Sequence, residues 1–218
     1  MCYSTEADMD QKQIEKMWNR EFKNEFSWRP SPVLNGFTHS ELPVSTMGLP
    51  GEIILMNWGL VPFWVQDAGL ASIMKNRTLN AKGETVFKLA SYRVPIIKRR
   101  CIIYVSGYYE WQHIQIPGAK KVEKKRYLIK LKDEPVFGLG GIYDEWTDKE
   151  TGEMYTGFSV ITVEANELMA EIHNSKKRMP LIFGSQAVAN EWLTPLTRGQ
   201  IEKSIVQLPS DRMYAEAV

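Results

Sequence analysis

Five β-branched and aromatic runs follow one another through the chain: GEIILMNWGL (51–60), RRCIIYVSGYYEW (99–111), KRYLIKLK (125–132), VFGLGGIYDEW (136–146) and GFSVITVEA (157–165). Turn residues bound each run, as expected of strands. Parallel strands of a doubly wound sheet need a crossover of a dozen or more residues, usually a helix, between neighbours. Only GETVFKLA (83–90) reads as a short helix among these strands. The pattern therefore predicts an α+β fold: a mixed or antiparallel, barrel-like sheet surrounded by helices. The helices are expected at the ends of the chain. Residues 8–22 read as one, capped by Asp8 or Asp10, with Ile14, Met17, Trp18 and Phe22 on a single face. ANELMAEIHN (165–174) and SQAVANEWL (185–193) read as two more, and the Pro-rich SWRPSPVLNGF (27–37) as irregular.

A chain of 218 residues can bury one sizeable core, and a single domain over 1–218 is expected. There is no apolar run of about 18 residues to span a membrane. The N-terminus lacks the basic and apolar regions of a signal peptide. With Cys2 and Cys101 the sole cysteines, a reducing cytoplasmic setting is expected. The cysteines and His39, His113 and His173 show no metal-ligand spacing, so neither a metal nor a cofactor is expected. The net charge of +1 is unevenly spread. Residues 75–130 hold 14 Lys/Arg against Glu84, Glu110 and Glu123, a net +11 that leaves −10 for the remainder. Such a basic middle points to a polyanionic partner, although a solvated lysine-rich surface reads the same way.

Four segments hold residues with chemistry. Cys2 follows Met1 directly. Removal of Met1 leaves a free α-amine and a thiol on adjacent carbons, and such a 1,2-aminothiol closes a five-membered thiazolidine on an aldehyde. The others are NWGLVPFW (57–64) with RTLNAKGET (77–85), the strand ending in GYYEW (107–111), and TVEANELMAEIHNSKKRMPLIF (162–183). Each has an ordinary reading when taken alone. Trp58, Phe63 and Trp64 suit a core or a turn, and Asn80 a cap. Glu110 suits the outward position of an edge strand, and His173 the C-terminal end of a helix dipole.

In order, Cys2, WGLVP (58–62), NAKGE (80–84), RRC with GYYEW (99–111), TVEAN (162–166) and His173 with RMP (178–180) resemble the SRAP domain. This is the SOS response-associated peptidase, or abasic-site processing, family. The resemblance runs from residue 2 to about 195 and leaves 196–218 as a tail. It implies a DNA-damage protein that cross-links covalently to abasic sites in single-stranded DNA. It also implies removal of Met1, by the protein itself or by a methionine aminopeptidase, and a lyase-type release. Cys2 is then the nucleophile through sulfur and amine. Asn80 orients it, Glu110 moves protons at the amine, and His173 assists opening of the deoxyribose. Arg77, Lys82, Arg93 and Arg178 are the expected phosphate contacts. Trp58, Phe63 and Trp64 are expected to stack on bases, with core packing the equal alternative. The expected partner is single-stranded DNA, bound by a monomer in the cytoplasm, at the nucleoid. Two other readings remain open: a non-covalent single-strand binder, and a cysteine peptidase acting on other proteins. The chain departs from the family pattern at Tyr3-Ser4, where Gly-Arg is usual, at Lys82 in place of arginine, and in Ser175–Lys177, which lengthen the His173 motif.

Overall fold

The computed structural model describes residues 2–23, 27–116, 118 and 122–218. In chain order its elements are β1 (Ser4–Ala7), α1 (Gln11–Trp18), β2 (Glu21–Phe22), β3 (Ser31–Asn35), β4 (Glu41–Thr46), β5 (Glu52–Trp58), α2 (Ala68–Arg77), β6 (Asn80–Lys82), α3 (Pro95–Lys98), β7 (Arg100–Val105), β8 (Gly107–Gln115), β9 (Val122–Leu131), β10 (Phe137–Thr147), β11 (Met154–Glu164), α4 (Glu167–Ile172), β12 (Arg178–Pro180), α5 (Gln186–Trp192), α6 (Arg198–Ser204) and β13 (Met213–Ala217). The fold is α+β, as the succession of strand runs predicts.

Strands β11, β10, β7, β4 and β5 lie side by side, and β5 meets β11 again to close a five-stranded barrel. The neighbours are antiparallel except at the closure, where Asn57 and Trp58 of β5 run parallel to Gly157 and Phe158 of β11. Closure depends on a glycine. A Cβ at Gly157 would stand 2.2 Å from the Gly59 carbonyl oxygen, far inside contact distance. Trp58 completes the joint. Its ring is wholly buried and stacks on Phe158 at 6.0 Å, and its Nε1 donates to the Leu79 carbonyl at 2.9 Å.

The long run 99–111 serves two sheets. Its first half is barrel strand β7, and at Ser106 the chain leaves the barrel. Its second half, β8, sits in a five-stranded sheet of order β13-β9-β8-β1-β3. Gly107 permits the crossing, because a Cβ there would lie 2.8 Å from Leu128 Cδ1 and 3.1 Å from the Ile129 carbonyl. Next to it, β1 pairs Thr5 with Tyr108 and Glu6 with Gly107, which brings the N-terminal segment alongside the strand that carries Glu110.

Arg100 staples helices to the barrel. It is fully buried, and its guanidinium donates to the carbonyls of Ile96, Ile97, Trp192 and Thr194 at 2.5–3.0 Å. It thereby ties the ends of α3 and α5 to β7.

Several local expectations change. The first helix is capped by Asp10, reciprocally with Gln13, and it ends at Trp18 because Asn19 turns left-handed (φ 49°). Phe22 therefore leaves the helical face and is buried from β2. Residues 83–90 form successive turns rather than a helix. Gly83 donates to Thr162 O, and Lys88 donates to Thr85 O, at i to i+3 spacing. The Pro-rich segment contains strand β3, at a sheet edge where Pro32's missing N–H is tolerated. The expected tail is integral to the sheet, since Met213–Ala217 pair with Tyr127–Leu131.

Candidate active site

Four segments converge beside β8. Cys2 precedes β1 and is fully buried. Asn80 begins β6, which pairs in parallel with β11, so its backbone is fixed opposite Val160. The Tyr92 hydroxyl donates to its carbonyl at 3.2 Å. Asn80 Nδ2 then donates to the Cys2 carbonyl at 2.8 Å. Among the described residues its buried Oδ1 has no hydrogen-bond partner, so an acceptor stands ready beside Cys2.

Glu110 comes from β8 and His173 from the end of α4. Asn166 caps α4 by accepting from Met169 N at 2.9 Å, and it donates to the Leu208 carbonyl at 2.8 Å. Hence TVEAN sets the start of the helix whose end presents His173. The His173 Nδ1 lies 2.8 Å from the Arg178 carbonyl, which assigns the proton to Nδ1 and leaves Nε2 with its lone pair. That Nε2 is 3.7 Å from Glu110 Oε2.

Desolvation sets the electrostatics of these groups. Burial pushes the Glu110 carboxyl up to about 7, the range of a general acid–base group at neutral pH. Burial lowers the His173 pKa, so the imidazole is kept neutral. Burial drives the Cys2 thiol far above its usual range, and the nearby Glu110 carboxylate adds to this. The thiol is therefore protonated at rest.

Glu110 and His173 border a cavity of about 360 Å³, also lined by Tyr3, Trp111, His113 and Lys124, with Ser175 and Lys176 from the turn after α4. Among the described residues no three His, Cys, Asp or Glu side chains are grouped to hold a metal ion. No helix is long and apolar enough to cross a membrane.

The sequence candidates divide sharply in space. Cys2, Asn80, Glu110 and His173 come together. Arg77, Lys82 and Arg93 are exposed and do not line the cavity. Arg178 is held by both carboxylate oxygens of Glu84 and by the Thr162 carbonyl at 2.6 Å. Phe63 and Trp64 are exposed, whereas Trp58 is sealed in the barrel joint and cannot meet a base. Part of the basic middle is spent internally: Arg99 pairs with Asp144 at 3.1 Å, Lys130 with Glu6 at 2.8 Å, and Arg100 is buried. Met1, Lys120 and Lys121 lie outside the described residues.

Tyr108 was not singled out by sequence. It sits two positions before Glu110, on the same face of β8. Its hydroxyl is buried and, among the described residues, has no hydrogen-bond partner. Burial raises its pKa well above the usual value, with Glu110 and Cys2 adding to the shift. That i, i+2 spacing was the available signal.

The profile of the SOS response associated peptidase (SRAP) family matches residues 1–218. The chain belongs to the SRAP family. Its relatives include the abasic site processing protein YoqW of Bacillus subtilis, 36% identical over 140 residues, 64% of this chain and 56% of that protein. The abasic site processing protein HMCES of Gallus gallus is 30% identical over 192 residues, 81% of this chain and 56% of that protein. The chain thus spans little more than half the length of these relatives. A crystal structure of a protein from Bacteroides thetaiotaomicron superposes with a TM-score of 0.91 at 34% identity, covering 100% of this chain and 92% of that one. A protein from Bordetella bronchiseptica shares the SRAP fold with a TM-score of 0.83 at 23% identity, covering 100% and 99%.

Proposed function

We propose that this SRAP protein captures abasic sites in single-stranded DNA as a covalent thiazolidine at Cys2, once Met1 has been removed. The observation that carries the reading is the hydrogen bond from Asn80 to the Cys2 carbonyl, made beside the buried Glu110–His173 pair. The names of the relatives support the lesion, and the chemistry of a 1,2-aminothiol supports the adduct.

Opening the abasic sugar moves a proton from its C1 hydroxyl to the ring oxygen as the ring C–O bond breaks. His173 Nε2 takes the first proton and returns it to the second atom. The Cys2 amine adds to the aldehyde carbon, and the carbonyl oxygen gains a proton from Glu110. The adduct nitrogen gives its extra proton to the Glu110 carboxylate, which passes it to that oxygen, releasing water and leaving an iminium. The Cys2 sulfur adds to the iminium carbon, the C=N pair returns to nitrogen, and the thiol proton passes to the Glu110 carboxylate. Exposed Lys82, Arg77 and Arg93, with Phe63 and Trp64, are the surface contacts for the strand. The reading places one copy of the chain, in the cytoplasm, on one DNA strand.

Intact-mass measurement tests it. The mature protein incubated with an abasic oligonucleotide should gain the mass of the DNA less one water and survive boiling in detergent. Cys2→Ala should not cross-link, while Cys101→Ala should, because an internal thiol has no adjacent free amine. A stable adduct on Cys2→Ala would falsify the thiazolidine. Binding without any adduct would favour the non-covalent reading. Met1 retained by Glu110→Gln alone would support self-processing.

A further inference from the structure

The cavity beside Glu110 and His173 has a basic mouth that the chemistry above does not use. Lys124 stands directly opposite His113 in the β8–β9 register. Lys176 arrives from the other side on the turn after α4. That turn is built rather than loose. Lys176 N and Lys177 N both donate to the His173 carbonyl, at 3.2 and 2.7 Å, and Lys177 adopts a left-handed backbone (φ 49°). Asn174 fastens the turn to β8, accepting from His113 N at 3.0 Å and donating to His113 O at 2.9 Å. The residues that lengthen the His173 motif are therefore clamped against the strand that carries Glu110. Both lysines are exposed, and among the described residues neither has a carboxylate within 4.0 Å. Among the described residues Glu110 is the one acid that lines the cavity. Ser4 is buried on β1 and offers no charge there.

We propose that Lys124 and Lys176 form a phosphate clamp at this mouth, gripping the phosphodiester next to the abasic sugar while the sugar reaches Glu110 and His173. The cavity, about 360 Å³, is at the small end of ligand sites and has room for a sugar with one phosphate. Two ammonium groups on separate elements bracket an anion from both sides. The proposal rests on the capture of abasic sugars argued above, and it adds the means by which the substrate is told from a free sugar.

The test compares 2-deoxyribose with 2-deoxyribose 5-phosphate as substrates of the mature protein, scored as adduct formation. Wild type should capture the phosphate ester faster. In the double variant Lys124→Ala/Lys176→Ala, the ratio of the two rates should fall by about tenfold, the scale of a lost charge-assisted contact. Lys12→Ala, on the exposed face of α1, controls for net charge. An independent readout is binding of an undamaged single strand. There the double variant should flatten the log–log salt slope by about 0.7, the share of the one phosphate the clamp grips. If wild type captures neither sugar, the covalent reading fails and the salt slope alone judges the clamp. A ratio and a slope both unchanged in the double variant overturn it.

Discussion

His173 Nε2 lies 3.7 Å from Glu110 Oε2 across the joint between α4 and β8, and both side chains are nearly sealed from water. Two opposite charges so placed would pair, but burying both costs more than their attraction returns unless further hydrogen bonds satisfy them. Desolvation instead raises the acid and lowers the base. Near neutral pH the pair is therefore an acid beside a neutral base rather than a fixed ion pair.

Stability should record this arrangement. The Glu110 pKa is raised in the fold, so its contribution is complete below its ordinary value and is lost as pH rises through about 7. The pKa of His173 is lowered, so its contribution is complete above its ordinary value and is lost as pH falls through the folded one. From pH 5 to 8 the Glu110 share should cost wild type on the order of 3 kcal/mol. Glu110→Gln should lose that dependence and unfold at higher urea than wild type at pH 8, relative to pH 5. Parallel curves for the two proteins across that range would mean that Glu110 titrates normally.

Arg100 makes a second prediction, about the scaffold alone. Its removal orphans carbonyls of Ile96, Ile97, Trp192 and Thr194 together. Arg100→Met should therefore cost at least about 4 kcal/mol, since four stranded groups cost about 1–3 each. Arg100→Lys should cost less, because an ammonium keeps the charge but cannot span all four. Urea unfolding measures both. Equal losses would show that the forked geometry, not the charge, matters.

How much of this was legible in the sequence follows from where the signal was local. Strand runs such as GFSVITVEA, and the Asp10 cap, are set by neighbours in the chain, and they appear where predicted. The gathering of Cys2, Asn80, Glu110 and His173 was legible through an ordered set of motifs, not through any one of them. What was hidden depends on tertiary closure. Trp58 reads equally as a stacking platform or a core residue until the β5–β11 joint buries it. Lys124 and Lys176 look like any solvated lysine until a turn and a hairpin set them at one mouth. Pro32 looks like a strand breaker until β3 proves to be an edge.

Arg178 gives a third prediction. Its carbonyl orients His173, and its guanidinium is already paired with Glu84. In the free protein that charge is largely neutralised locally. Lys82→Ala should therefore flatten the salt dependence of single-strand binding by about 0.7, and Arg178→Ala by less. Glu84→Gln should steepen it by releasing the guanidinium toward phosphate. If Arg178→Ala flattens the slope as much as Lys82→Ala does, the Glu84 pair opens on binding.

The last prediction separates the two halves of the buried pair by the step each serves. Glu110 is assigned to proton transfers at the amine and the departing oxygen, which every aldehyde must undergo. His173 is assigned to the C1 hydroxyl and ring oxygen, which only a closed sugar has. Glu110→Gln should therefore slow capture of an abasic site and of a simple acyclic aldehyde alike. The loss should be about 10²–10⁴-fold, the range for a positioned acid–base group. His173→Ala should slow the abasic reaction strongly and the acyclic one much less. It should also slow release of a formed cross-link, because reclosing the sugar retraces the same proton path. The His173→Gln variant guards against a packing effect, since it fills the space without supplying a base, and it should behave as Ala does. Circular dichroism at the assay pH first establishes that each variant is folded. Equal loss on both aldehydes in His173→Ala would move this residue from the sugar to the amine, where Glu110 already works.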